Sequence, residues 1–151
     1  MVKKKKTMKE IQASIQLMDS YIKNYNLNLK GRLTGEEKVD LGCSITFEIV
    51  KIEKKEENQI GQIKMKYQIE IIKKEEIFGR IELEIQGLFE TDKNLSKEKF
   101  ENILKYNGAP VISNIARSYI ISNTSLSEMP TIRIPLINFV EFFDKANKTN
   151  K

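Results

Sequence analysis

Histidine and tryptophan are absent from this 151-residue chain, and cysteine occurs once, at Cys43. Without histidine, the chain lacks the most common general base and the most common metal ligand in proteins. A single cysteine excludes an internal disulfide and every zinc site built from several cysteines. The sequence also contains no phosphate-binding loop, dinucleotide-binding turn or hydrolase nucleophile elbow. We therefore expect a protein that is not an enzyme, with no catalytic residue, no metal ion and no cofactor.

Long apolar runs are missing as well, because no stretch is apolar enough over sufficient length to cross a bilayer. The chain starts with a basic cluster, but Lys9, Glu10 and Gln12 interrupt the apolar stretch that a secretory signal requires. The sequence therefore predicts a cytoplasmic protein that does not insert into a membrane.

Positive charge is concentrated at the start of the chain. The net charge is +5, and Lys3–Lys6 supply four of these charges, which leaves +1 for residues 7–151. We interpret residues 1–10 as a basic, flexible arm and residues 11–151 as one domain. Such an arm could bind nucleic acid, but four charges provide little specific binding. A solubilising tail is therefore the favoured interpretation, and nucleic acid is the less favoured partner.

The clearest secondary-structure signal lies in residues 60–89, where apolar and polar residues alternate. This period of two predicts half-buried antiparallel strands joined by a turn at residues 74–76. The turn sets Tyr67 opposite Leu83 and places Lys66 beside Glu84 on the other face. A slip of one residue would oppose apolar and polar side chains, so the register is well specified. The apolar positions are Ile63, Met65, Tyr67, Ile69, Ile71, Ile81, Leu83 and Ile85.

Two further strands precede this hairpin. The alternation around Phe47 predicts a strand that pairs Phe47 with Met65 and Glu48 with Lys64, across a charged loop at residues 53–59. Val50 starts an opposite phase, which predicts a bulge near the end of that strand. Residues 15–29 are interpreted as a long first strand, with a helix over residues 8–24 as the competing interpretation.

The pattern changes to helical after Gly87. Ser96 is a candidate N-cap for a short helix that ends at Asn107-Gly108. A long helix then begins at Ala109-Pro110, where apolar residues repeat every three and four positions. Four strands followed by helices predict an α+β fold, a four-stranded antiparallel sheet with helices packed on one face.

The segment from Ala116 to Phe143 has the most distinctive order of residues in the chain. An Ala116-Arg117 pair in the long helix is followed by Pro130, a short strand-like stretch with alternating Ile132 and Ile134, and a last helix that Asn138-Phe139 opens. This order resembles the C-terminal half of the SecB family of bacterial protein-export chaperones. Gly87-Leu88-Phe89, interpreted as the end of the last long strand, is similar to the Gly-Ile-Phe of that family.

The resemblance implies a SecB-like fold that assembles as a homotetramer, a dimer of dimers. It also implies an ATP-independent holdase that binds unfolded precursor polypeptides in apolar grooves and passes them to the SecA motor. In that family, acidic residues on the exposed sheet face contact SecA. Here the predicted polar face mixes Lys64 and Lys66 with Glu82 and Glu84.

Two sets of site residues follow from the excess of apolar side chains, because exposed apolar patches mark either oligomer interfaces or binding grooves. Residues near strand ends and loops are the candidates for client binding, since Met and aromatic side chains adapt to varied sequences. They are Leu33, Phe78, Phe89 and Met129. The apolar stripe of the long helix is the candidate oligomer interface. It comprises Ile115, Tyr119, Ile120 and Ile121.

The function that these patterns favour is a general holdase that supports protein export. Two alternatives stay open. One is a SecB-like chaperone dedicated to a single client, such as the antitoxin of a toxin–antitoxin pair. The other is a non-enzymatic interaction protein that uses its basic arm on nucleic acid.

Overall fold

A computed structural model describes residues 15–34, 36–127 and 129–149, with side chains up to residue 145. The predicted basic arm at residues 1–10, with Lys3–Lys6, and the predicted start of the domain at residue 11 lie outside the described residues.

Four long strands come first along the chain and the helices follow. The sheet is antiparallel throughout, with the order β1-β4-β3-β2, so β1 and β2 form its two edges. The helices pack on one face, which confirms the predicted α+β fold. The strands are β1 (Gln16–Leu29), β2 (Asp40–Lys54), β3 (Asn58–Lys73) and β4 (Glu76–Asp92). The helical elements are α1 (Lys97–Ile103), a π-helical segment (Leu104–Gly108), α2 (Ala109–Ser125) and α3 (Phe139–Thr149).

The strand register is the one that the alternation predicts. Tyr67 lies opposite Leu83, and Phe47 lies opposite Met65. The register of β2 against β3 shifts between Ile49 and Lys51, so the predicted bulge is confirmed. A bulge was predictable there because the side-chain pattern changes phase within a strand that continues to pair.

Residues 16–24 belong to β1, so the competing helix is wrong for that part of the chain. The hairpin between β3 and β4 turns at Lys74 and Glu75, which adopt φ values of 50° and 65°. Two consecutive residues with positive φ are typical of the tight turns whose twist matches that of the flanking strands. The turn therefore lies where the sequence predicts it.

Two predicted boundaries are wrong. β4 does not end at Gly87-Leu88-Phe89 but continues to Asp92. Gly87 serves close packing instead, because a Cβ atom at this position would overlap the side chain of Ile112. The short helix also does not end at Asn107-Gly108, since the backbone passes through the π-helical segment into α2. Gly108 keeps right-handed helical angles, with φ −73° and ψ −47°, and lies against the ring of Phe89.

The residues predicted as a short strand, around Ile132 and Ile134, alternate between exposed and buried as a strand does, but they pair with no strand in the described part of the chain. Asn138 does open the last helix as predicted, because its Oδ1 atom accepts a hydrogen bond of 3.2 Å from the backbone N–H of Glu141. The predicted cap of α1 is also confirmed, with the Ser96 Oγ atom accepting from the N–H of Lys99 at 3.3 Å.

The helical layer approaches the sheet most closely where glycines face it. A Cβ atom on Gly61 would lie 2.7 Å from Leu104 Cδ1 and 2.9 Å from Phe100 Cζ. Both side chains are fully buried, so neither can move aside without disturbing the core.

We therefore expect Gly61→Ala to lower the free energy of unfolding by about 1–3 kcal/mol, as overpacking of a dense core usually does. Urea-induced unfolding measures this change. Gly42→Ala is the matched control, because the nearest atom to its added Cβ is at an ordinary 3.7 Å. Equal stability of the two variants would show that the helical layer has room at Gly61.

Candidate functional site

The helical layer covers the two central strands completely but the two edge strands only in part. The inner-face side chains of β3 and β4 are buried, as in Met65 and Ile85. On the same face, Leu17 of β1 keeps 39% of its surface exposed and Leu41 of β2 keeps 36%. Apolar surface therefore remains on both flanks of the helical layer.

The inner face of β2 carries the more continuous of these surfaces, and we call it the β2 flank. Part of it lies under α3, because the rings of Phe47 and Phe143 pack edge to face with centroids 5.0 Å apart. Tyr106 of the π-helical segment packs on Phe143 from the other side, at 5.6 Å. The β2 flank consists of Leu41, Cys43, Ile45, Phe47 and Ile49.

The backbone edge of β2 is also open, since no described strand pairs with its outer side. Natural edge strands are usually protected by charges, prolines or bulges. β1 follows this rule, with two register shifts and the charged Asp19 and Lys23. Residues 41–47 of β2 have no charge, no proline and no bulge. This stretch therefore offers unpaired backbone hydrogen-bonding groups beside half-exposed apolar side chains.

Cys43 lies within the β2 flank and is exposed. Partial burial of its sulfur raises the pKa of the Cys43 thiol, so the group stays protonated near neutral pH. A protonated thiol behaves as a small apolar group and is a poor nucleophile. Cys43 therefore contributes to the apolar character of the flank.

Residues 129–138, which we call the strap, cross the helical layer between α2 and α3. Inward side chains of the strap, Ile132 and Ile134, are almost completely buried. Its backbone is tied to side chains of α2. The Arg117 Nε–H donates to the carbonyl oxygen of Ile134 at 2.8 Å, and the N–H of Ile132 donates to Thr124 Oγ1 at 2.9 Å. The strap runs directly into α3, which packs on the β2 flank.

The outer side of α2 has an unusual composition for a solvent-facing helix. Arg117 is the one charged residue between Ala109 and Ser125, in a chain with 31% charged residues. Ile115 and Tyr119 flank this side and are half-buried against the core. The exposed positions of α2 are Val111, Asn114, Ser118, Ser122 and Ser125. A neutral surface of small and apolar residues is suited to contact with another protein surface.

Three large apolar side chains beyond α2 are more exposed still. Leu126 keeps 88% of its surface exposed, Leu136 keeps 77%, and Val140 keeps 57%. Leu136 belongs to the strap, and Val140 lies in the first turn of α3.

The four predicted client-binding residues do not form one surface. Leu33, Phe89 and Met129 are buried in the core, where they present almost no area to a partner. Phe78 is half-buried, with the Lys73 Nζ atom 5.1 Å from its ring centroid. Their assignment stays a prediction, and Phe78 is the member with surface available in this conformation.

The four predicted interface residues share α2 but not one face of it. Ile120 is fully buried in the core, whereas Ile115, Tyr119 and Ile121 are half-buried. Tyr119 packs edge to face on Tyr25 of β1, with centroids 5.2 Å apart. Their assignment to an oligomer interface also stays a prediction.

Sequence reasoning missed the β2 flank and the three exposed side chains near the strap. The signal for the flank was present, because residues 41–47 form a neutral run within a highly charged chain. Exposure of Leu126, Leu136 and Val140 had no signal in the sequence, since apolar residues beside helix ends are as often buried.

The opposite face of the sheet is polar, and several of its charges are paired. Glu84 forms ion pairs with Lys66 at 3.6 Å and with Lys23 at 3.7 Å. Lys64 pairs with Glu48 at 3.0 Å. The positive and negative charges predicted to mix on this face therefore largely neutralise one another.

Within residues 15–34, 36–127 and 129–149, no group of His, Cys, Asp and Glu side chains is arranged to hold a metal ion. None of the described helices has both the length and the apolar character needed to cross a membrane.

Comparison with known proteins identifies the fold. The chain matches the SecB-like chaperone of Mycobacterium tuberculosis in complex with a ChAD peptide from the HigA1 antitoxin, with a TM-score of 0.57. The match covers 83% of this chain and 91% of that one at 13% identity. A protein of unknown function from Streptococcus agalactiae matches at a TM-score of 0.47 and 13% identity, over 80% of this chain and 96% of that one.

No family model matches the sequence, and no curated protein matches it either. At 13% identity, the structural likeness shows a SecB-like fold. The fold that the segment from Ala116 to Phe143 implies is thereby confirmed.

The pH dependence of the free energy of unfolding tests whether the helical layer keeps water away from Tyr67. Burial raises the pKa of Tyr67 from 10.0 to about 12. Between these values, the unfolded chain has lost this proton while the folded protein keeps it. The folded protein then binds more protons, so the free energy of unfolding falls as the pH rises.

We expect Tyr67→Phe to remove this contribution, which amounts to roughly 1 kcal/mol near pH 11. Urea unfolding between neutral pH and pH 11 measures it, with Tyr21→Phe on the polar face as the matched control. An unchanged alkaline slope in Tyr67→Phe would mean that water reaches the Tyr67 hydroxyl.

Proposed function

We propose that this protein is an ATP-independent holdase chaperone that binds non-native polypeptides along the β2 flank. The observation that carries the proposal is the unprotected edge of β2 at residues 41–47, beside half-exposed apolar side chains, in a chain with a SecB-like fold. Fold alone does not establish function, so the proposal depends on this surface.

The chemistry of the β2 flank favours binding without sequence specificity. A polypeptide in extended conformation can hydrogen-bond to a free strand edge through its backbone, which every sequence provides. Alternate side chains of such a segment would meet Leu41, Cys43 and Ile45 on the inner face. Binding then requires apolar residues at every second position and disfavours charge, which describes many unfolded segments.

Each such contact is weak, and oligomerisation supplies the missing affinity. We propose that the neutral outer side of α2 joins copies of the chain, with Ile115, Tyr119 and Ile121 at the contact. A dimer of dimers would present several β2 flanks to one client, and multivalency would raise affinity without any new type of contact. Captured clients are then kept from aggregating by mass action.

We propose further that this holdase acts in the cytoplasm and supports protein export. The described part of the polar face mixes both signs of charge, since Lys64 and Lys66 pair with Glu48 and Glu84, and such a face is poorly suited to electrostatic docking to SecA. A second candidate therefore has its own support, namely a chaperone dedicated to one client. The structurally similar Mycobacterium protein was solved with an antitoxin peptide, and a specialised partner needs no docking face for an export motor.

Among the residues proposed from the sequence for client binding, Phe78 is the direct test. Phe78→Ala should weaken capture if clients reach the end of the sheet. Phe89→Ala is unsuitable for this purpose. Removal of a fully buried aromatic ring costs about 3–5 kcal/mol of stability. Its effect on capture would therefore report unfolding rather than contact.

The decisive experiment measures suppression of aggregation of a chemically denatured, reduced protein by the purified chain without ATP. We expect Leu41→Ser to weaken capture roughly fivefold. The substitution removes about half of the free energy that burial of a whole leucine side chain would contribute to client binding. Thr46→Ser, on the other face of the same strand, is the matched control. Full capture by Leu41→Ser would remove the β2 flank from the proposal. The dedicated chaperone would be favoured if the wild-type chain did not suppress aggregation of unrelated proteins but bound the protein encoded by a neighbouring gene.

The proposed interface is tested separately by mass measurement of the native assembly. Ser118→Arg places a charge on the exposed outer side of α2, where burial of an unpaired charge is strongly unfavourable. We expect this variant to form smaller assemblies than the wild-type chain. Asn102→Arg makes the same change on the exposed side of α1 and should leave the assembly intact. Equal masses for both variants would show that α2 is not the interface.

A further inference from the structure

The strap is itself an extended peptide that lies in an apolar trough. From Thr131 to Ile134, its side chains alternate between exposed and buried, as in a strand with one face inward. It nevertheless pairs with no described strand. Arg133 is its one charge and points to solvent. This conformation and this pattern are those that the proposed function requires of a client segment.

The surface beneath the strap, which we call the trough, is apolar, because Ile132 and Ile134 are almost completely buried in the hydrophobic core. If the strap left, the core surface that these two side chains cover would be exposed. A vacated trough would therefore take another extended segment with two inward apolar residues.

The strap is held by few hydrogen bonds. Its end residues Met129 and Asn138 bond to Ser127 and to the start of α3. Between them, in the described part of the chain, two hydrogen bonds join the strap to α2: the Arg117 Nε–H donates to the Ile134 carbonyl, and the Ile132 N–H donates to Thr124 Oγ1. Both involve side chains of α2, and neither belongs to a backbone ladder. Segments with so few backbone hydrogen bonds open at lower free energy than the sheet beneath them.

We infer that the strap is a built-in pseudo-client, which occupies the trough in the free protein and is displaced by an extended, uncharged segment of a non-native polypeptide. The bound segment offers a backbone N–H to Thr124 Oγ1 and a carbonyl oxygen to Arg117, as the strap does now. This inference rests on the proposed function for the identity of the client.

A second copy of the chain is the less suitable occupant. A stable dimer interface uses about 20–30 residues on each side. The strap covers only ten positions, 129–138, and its hydrogen bonds to α2 do not depend on a neighbour. A short peptide that binds weakly fits a site of this size.

Displacement makes a quantitative prediction about affinity. When a site is open for only a fraction of the time, the apparent dissociation constant is the intrinsic constant divided by that fraction. Loss of one methyl group from an inward isoleucine of the strap should raise the open fraction about fivefold, and peptide affinity should rise by the same factor, because the surface that binds the peptide is unchanged. If the strap instead formed a wall of the site, the same change would lower affinity.

The test uses a fluorescein-labelled synthetic peptide with the chain's own sequence for residues 129–138 and measures binding to the full chain by anisotropy. Ile132→Val and Ile134→Val in the full chain each weaken the strap's own burial and leave the peptide and its binding surface unchanged. We expect about fivefold tighter binding by each variant. Ser125→Ala, which loses an exposed hydrogen bond to the Ser122 carbonyl away from the strap, should bind as the wild type does. A peptide with serine at both isoleucine positions should not bind.

Hydrogen exchange at the Ile132 amide provides the second measurement and does not require any variant to fold. Addition of saturating peptide to the wild-type chain should accelerate exchange at this amide. Weaker or unchanged peptide binding in both variants, or unchanged Ile132 exchange, would overturn the inference. So would exchange that depends on protein concentration instead of peptide, because that result indicates a strap exchanged between copies.

These readouts are separate from holdase activity. Peptide binding with strap release but no suppression of aggregation would refute the proposed function and leave the pseudo-client in place. Suppression of aggregation while the strap stays closed would refute the pseudo-client and leave the proposed function in place.

Discussion

The structure depends on a mismatch of width between a four-stranded sheet and the helical layer that covers it. The layer descends onto the two central strands, where Gly61, Gly87 and Gly108 allow side chains and backbone to approach closely. This contact buries β3 and β4 completely on their inner face. The same layer covers β1 and β2 less completely, through contacts that include those of Tyr119 and Phe143. Half-exposed apolar flanks are the necessary result, and the proposed client site is one of them.

The two edge strands of the sheet differ in the charges and bulges that hinder pairing with another strand. β1 carries charges and two bulges, which hinder the approach of another strand. β2 keeps a flat, neutral stretch at residues 41–47, and its single bulge lies beyond that stretch at Val50. An unprotected edge is an aggregation hazard in most proteins, and its retention here is consistent with a surface used for binding. The strap adds a second apolar element, held by Arg117 and Thr124 of α2, and it continues into α3, which packs on the β2 flank.

Electrostatics separates the two faces of the molecule. The polar face of the sheet combines lysines and glutamates in cross-strand ion pairs, each of which contributes little to stability at an exposed site. Their main effect is to keep this face soluble without a dominant sign of charge. The outer side of α2 is neutral for a different reason, because serine, asparagine and apolar residues replace charged ones. Partners that recognise these two surfaces must therefore rely on different physical interactions.

The sequence by itself determined the four strands, the register of β3 against β2 and β4, and the bulge at Val50, because side-chain alternation in a half-buried sheet strongly specifies the pairing. It also determined the caps at Ser96 and Asn138, which depend on local hydrogen bonds. It did not determine that β1 pairs with β4 or that this pairing has two register shifts. It did not determine that the helix continues past Gly108, since that glycine is required for packing on Phe89 and not for a helix end.

Only the tertiary structure decided which apolar side chains remain accessible. Leu33 and Met129 resemble surface candidates in the sequence but are buried, whereas the β2 flank, Leu126 and Leu136 retain exposed area. Exposure depends on where the narrow helical layer lies over the wider sheet, and no local pattern of residues contains that information.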